Sequence, residues 1–147
     1  MAYEDRNTSQ QACNYEQLVA GSVHLMDNVK IAASQNIKRG DLLECSVSEA
    51  YATAESSTTV TRTVGTAFAK AAGAADIKNI YVIAAHDVKT GSSDNDTYAA
   101  VYVSGEFNQN KIGFGGSSNA EQNKMVLMAK GILLRDTMSG KVTAQGV

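Results

Sequence analysis

The chain has 147 residues, of which 44% are hydrophobic and 19% charged, with a net charge of −2; this composition fits one globular domain and excludes an intrinsically disordered chain. A domain of this length buries roughly 68–70% of the surface its unfolded chain exposes, so it needs no disulfide or metal to hold it. No basic cluster exceeds Lys38-Arg39, which argues against nucleic-acid binding by phosphate neutralisation, and no apolar run approaches the roughly 18 residues of a membrane span.

Residues 1–14 are polar, with Tyr3 and Cys13 isolated among them. They read as a flexible N-terminal arm that orders against a partner, and residues 15–147 read as a single domain. The arm lacks the apolar stretch of a signal peptide. The expectation is a protein made in the cytoplasm, where Cys13 and Cys45, without C-x-x-C spacing, read as free thiols more readily than as a disulfide. Asn7-Thr8-Ser9 and Asn95-Asp96-Thr97 match the glycosylation pattern, which carries no weight without a secretory signal.

An apolar cluster, Leu18-Val19-Ala20, closes on Gly21. Short strands are expected at 22–26 and 28–32, with Val29 and Ile31 on one face and Asn28 and Lys30 on the other. Proline is absent, so turns fall to Gly, Asn, Asp and Ser. Ser34-Gln35-Asn36 turns, Ile37 resumes the apolar pattern, and Lys38-Arg39-Gly40-Asp41 turns again, with Gly40 suited to a positive φ. Residues 42–47 form the next strand. Residues 56–62 read as strand, whereas the Ala-rich stretch 64–75 stays open between helix and strand.

The continuous apolar run 80–85 predicts a strand covered on both faces. Residues 89–96 form a solvated loop. In 97–103, Ala99, Val101 and Val103 share one face and Tyr98, Ala100 and Tyr102 the other, so the strand is central or gives one face to a partner. Gly105 and then Asn108-Gln109-Asn110 close that unit before 111–114. Ser118 and Glu121 match a capping box. Met125, Met128, Ala129 and Ile132 follow at helical spacing as a core-facing stripe. Gly131 stops the helix, 132–134 leave as a final strand, and 137–147 are a polar tail. The fold class is mainly β (α+β): a small β-rich domain with one short C-terminal helix and an extended arm.

Candidate reacting groups are sparse. His86-Asp87 is the one adjacent His–carboxylate pair; without a G-x-S-x-G element it reads as a strand-end hydrogen-bonder. His24 stands alone, and two histidines without clustered cysteines make no zinc site. Asp94-Asn95-Asp96 lacks the Gly and Glu spacing of a calcium loop. Gly113-Phe114-Gly115-Gly116 precedes the helix, but position 118 is Ser, so the dinucleotide pattern fails. Gly140-Lys141 is followed by Val142, so the Walker pattern fails too. Arg39-Gly40-Asp41 reads as a scaffold turn. No catalysis, cofactor or metal is expected.

The run Leu18-Val19-Ala20-Gly21, with residues 28–43 (NVKIAASQNIKRGDLL), resembles the lambda-type phage head decoration proteins, which carry a similar L-x-A-G and an S-G-Q-x-L-K-R-G-x-V-L turn. Three more segments agree in order. Residues 81–88 (YVIAAHDV) resemble the family's V-G-I-L-A-E-D-V, residues 100–107 (AVYVSGEF) its V-V-Y-x-x-G-E-F, and residues 131–135 (GILLR) its closing G-I-x-L. The likeness covers about residues 15–135. Ala33 stands where a Gly is usual, and residues 47–75 match poorly.

The resemblance implies a homotrimer that sits on the outer surface of the expanded capsid, binds the major capsid protein and cements the shell against packaged DNA. It implies no catalysis and no cofactor; neither nucleic acid nor membrane is expected as a partner. Aromatic residues favour buried interface centres, which places the trimer seam at Tyr98, Tyr102 and Phe107. The capsid-binding arm would present Tyr3, Arg6, Asn7, Gln10 and Tyr15. The alternative is a small β-rich carbohydrate- or polymer-binding module.

Overall fold

A computed structural model describes residues 17–136. Its strands are β1 (Val19–Ile31), β2 (Asn36–Ile37), β3 (Leu42–Cys45), β4 (Val47–Ala54), β5 (Ser57–Val64), β6 (Ala69–Lys70), β7 (Ile80–Ala84), β8 (Val88–Lys89), β9 (Thr97–Asn108) and β10 (Ile132–Arg135). A 3₁₀ turn (Gln109–Lys111) and helix α1 (Ala120–Ala129) lie between β9 and β10. The described chain is therefore mainly β, with one α-helix near its C-terminal end. The arm and the polar tail lie outside the described residues.

The central sheet has the order β1-β9-β7-β3-β6, with β10 parallel to β9. Its two ends meet. Phe68, just before β6, donates its N–H to Lys30 O (2.9 Å), and Ala32 N–H donates to Phe68 O (2.8 Å). The sheet thus closes on itself, which removes edges that would otherwise invite pairing.

Alternation along β3, β7 and β9 builds two cores, one on each side of the sheet. Leu42, Tyr81 and Ile83 face one side, with Phe107, Leu127, Ile132 and Leu134. Leu43, Val82, Ala84, Ala99 and Val101 face the other, with Ile31 and Ile37. Both sides of Tyr81–Ala84 are covered, which is why this run carries no polar face. In β9 the Ala99 and Val101 side is buried, while Tyr98 and Tyr102 on the other side stay exposed or half-buried.

Several expectations require correction. The strands at 22–26 and 28–32 are one strand, β1, carried past three register irregularities against β9; Asn28 takes φ 57° within it. Gly105 does not end β9 but sits inside it at φ 134°. The 64–75 stretch, open between helix and strand, resolves without a helix: it holds the end of β5 at Val64 and the short β6.

Helix α1 starts one residue later than the Ser118–Glu121 reading. Asn119 is the N-cap, and Asn119 and Gln122 form the reciprocal box. Ser118 Oγ donates instead to Gly115 O. The buried stripe is Asn123 and Leu127, while Met125 and Met128 are 72% and 46% exposed. Asn123 is buried because its amide is satisfied: Oδ1 accepts from Ala75 N–H (2.8 Å), and Nδ2 donates to Asn119 O (2.7 Å) and Ser118 Oγ (3.1 Å). A polar anchor of this kind escapes a hydrophobicity pattern. Ile132 is buried, but on β10.

Candidate interaction surfaces

The Lys38–Asp41 turn is tied to the scaffold at several points. Gly40, at φ 94°, donates its N–H to Ala84 O (2.9 Å). The buried Asp41 carboxylate accepts from Lys38 N–H (2.9 Å) and pairs with Lys70 Nζ (3.4 Å). Arg39 donates its N–H to Asp87 Oδ1 (2.8 Å), and its Nη1 reaches Ala85 O (2.7 Å) and Tyr102 Oη (3.2 Å). Its guanidinium also lies 5.7 Å from the Tyr102 ring centroid, within cation–π range. Arg39-Gly40-Asp41 is therefore built into the scaffold.

His86 is held by backbone at both ring nitrogens. Ala100 N–H donates to Nε2 (3.2 Å), and Nδ1 lies 3.0 Å from Asp87 O. Asp87 is engaged with Arg39 and with Lys38 Nζ at 3.8 Å. What this cluster can do is clamp the turn to the end of β7 and to the body of β9. Gly91 N–H donates to Asp94 Oδ2 (2.6 Å), a turn-forming contact. Among the described residues, no three His, Cys, Asp or Glu side chains come together as metal ligands. Cys45 is a buried free thiol whose pKa is pushed up by desolvation.

The three aromatic residues assigned to a subunit seam divide. Tyr98 is 51% exposed. Tyr102 is half-buried on the same face of β9, four residues on. Phe107 is a correction: it is fully buried in the chain's own core, so it has no surface to offer a partner. It supports Tyr102 from beneath, ring against ring at 5.6 Å. Leu25, directly opposite Tyr102 on β1, is 57% exposed and extends the outward strip. Tyr3, Arg6, Asn7, Gln10 and Tyr15 lie outside the described residues.

Two surfaces were not singled out from the sequence. One is an apolar groove of about 300 Å³ lined by Met26, Val29, Phe68, Ile80, Val82 and Val103, with Lys130 at its side. Its residues come from five separate segments, so no local pattern marks it. The other is the β4–β5 hairpin, a separate two-stranded sheet whose residues are exposed along almost its whole length. Its Val- and Thr-rich strand β5 was legible, but its pairing with β4 was not. No family model, curated protein or solved structure matches the chain.

Proposed function

We propose that this protein is a capsid decoration protein that binds the outside of an expanded phage head as a homotrimer and stabilises the shell against internal DNA pressure. The observation that carries this reading is the ordered set of motifs, together with how they bond. Arg39 of the KRGD turn contacts Ala85 and Asp87 of the second motif and Tyr102 of the third. Gly105 N–H of the third donates to Gly131 O of the fourth (2.9 Å). Four segments distant in sequence thus form one bonded unit, as expected if their shared order reflects a shared scaffold.

The role itself is binding. A protein that binds only the expanded shell stabilises that state by mass action, and many copies spanning several shell subunits add through multivalency. A polar arm that orders on docking covers a wide surface for modest contact area, for instance by adding a strand to a shell-subunit edge. The outward strip of Tyr98, Tyr102 and Leu25 is the face we assign to the trimer seam. A carbohydrate-binding module would present its exposed rings together; here Tyr51 and Tyr98 lie on separate sheets.

Electron microscopy of expanded heads incubated with the protein tests the reading. The expected result is added density outside the shell at local three-fold positions. Bare shells at saturating protein would refute it.

A further inference from the structure

β4 and β5 pair in unbroken register from Val47↔Val64 to Ala54↔Ser57. Eight residues of strand make a ribbon roughly 26 Å long. A two-stranded ribbon standing alone is marginal in water and gains stability from a partner surface. Apart from Val47, no residue of this one is buried.

Its two faces differ. Directly opposed residues share a face. One face is small and neutral: Ser48/Thr63, Ala50/Thr61, Ala52/Thr59 and Ala54/Ser57. The other carries the rows Val47/Val64, Glu49/Arg62, Tyr51/Val60 and Thr53/Thr58. On that second face Tyr51 is 68%, Val64 53% and Val60 39% exposed. Its charges are ordered beside them: Arg62 Nη2 lies 3.6 Å from Glu49 Oε2, and Tyr51 Oη donates to the same carboxylate oxygen at 2.9 Å.

We propose that this face packs on the same face of a second copy, about a two-fold axis running along the ribbon. That axis exchanges β4 and β5, so each row meets itself with its members swapped. Tyr51 lies on the partner's Val60 and Glu49 on the partner's Arg62, while at the base of the ribbon Val47 is buried in its own chain and Val64 alone adds surface. Every charge then meets its opposite, twice per pair of copies. A two-fold across the ribbon does worse: centred on the charged row it opposes Glu49 to Glu49, and centred on the Tyr51 row it sets both charges against threonines. The face is thus self-complementary for one arrangement, the signature of an isologous contact.

The contact is small. One ribbon face is about 26 by 10 Å, well under the roughly 1,200 Å² of total buried area that a stable pair needs. Association is therefore weak between free chains and becomes effective where copies are held side by side. The inference stands on the ribbon's own residues and fails or survives independently of the shell-binding reading.

Sedimentation velocity on the full chain at low salt tests it. The wild type should gain mass with concentration, less so as salt screens the ion pairs. E49R leaves only positive charges on the face and R62E only negative ones, so each alone should lose the association. An equimolar mixture of the two should regain it. Each chain in the mixture keeps its internal repulsion, so a role confined to one hairpin would not be rescued by mixing. Absence of self-association, single variants that associate like the wild type, or a mixture of the two that stays unassociated would overturn the proposal and give the face to another partner.

Discussion

The ring of Tyr102 lies against that of Phe107, centroids 5.6 Å apart and planes at 58°, although the two stand five positions apart on one strand. In a regular strand, residues an odd number apart point to opposite faces. Here β9 inserts one extra residue between Tyr102 and Ser104 relative to His24 and Leu25 on β1. Gly105 follows at φ 134°. The irregularity re-phases the strand, so Phe107 enters the same core that Tyr102 covers and Tyr102 is left to receive Arg39.

Gly105→Ala should be severely destabilising. An added Cβ would lie 2.5 Å from Ser22 O and 2.6 Å from Val23 Cα, both backbone atoms that cannot swing aside. With the cost of a positive φ, the expected loss is about 3 kcal/mol or more, read as a lowered urea midpoint. Gly73→Ala is the control: nothing lies within 4 Å of its added Cβ, and the midpoint should barely move.

Asn123→Leu should cost about 1–3 kcal/mol, because it removes the buried amide that accepts from the half-buried Ala75 N–H and donates to Asn119 O and Ser118 Oγ. Met125→Ala, on the exposed side of α1, should stay within about 0.5 kcal/mol. Chemical denaturation of the two variants side by side would distinguish the observed helix face from the methionine face.

Arg39→Lys removes the planar fork that spans Ala85 O and the Tyr102 ring and hydroxyl. A lysine cannot hold these together, and the expected cost is about 1–2 kcal/mol, with faster amide exchange at residues 38–41.

Tyr81 adds a pH dependence. Burial pushes its phenol above the ordinary value of 10.0, partly opposed by the Asp76 N–H that donates to it at 2.6 Å. Its folded pKa exceeds the unfolded one, so its contribution is full below pH 10 and is lost as pH rises through the folded value. The stability of the wild type relative to Tyr81→Phe should therefore decline above pH 10 and stay level from pH 7 to 9.

Deleting residues 1–14 should leave the urea midpoint of the domain unchanged and weaken binding to expanded heads at least tenfold in a co-sedimentation titration. Unchanged shell affinity would assign the contact to the domain itself.

The central strands were legible because Tyr81–Ala84 and Ala99–Val101 are apolar on both faces, and the turns because Gly40 and Gly131 stand where positive φ is needed. The helix face was not, because its anchor is Asn123, whose burial depends on partners as distant as Ala75. Phe107 was misplaced for a related reason: its direction follows from a strand irregularity, which composition does not encode. Nor could the sequence reveal the closure of the sheet at Phe68 or the groove beside it, since both join segments far apart in the chain. The hairpin was only half legible, because strand propensity in β5 says nothing of what its exposed face meets.

The most direct test of the central claim is to mix the purified protein with expanded, undecorated phage heads, and to measure co-sedimentation and heat resistance together. The account predicts saturable binding and heads that survive a higher temperature than bare ones. Protein that stays in the supernatant, or binds without raising that temperature, would contradict it.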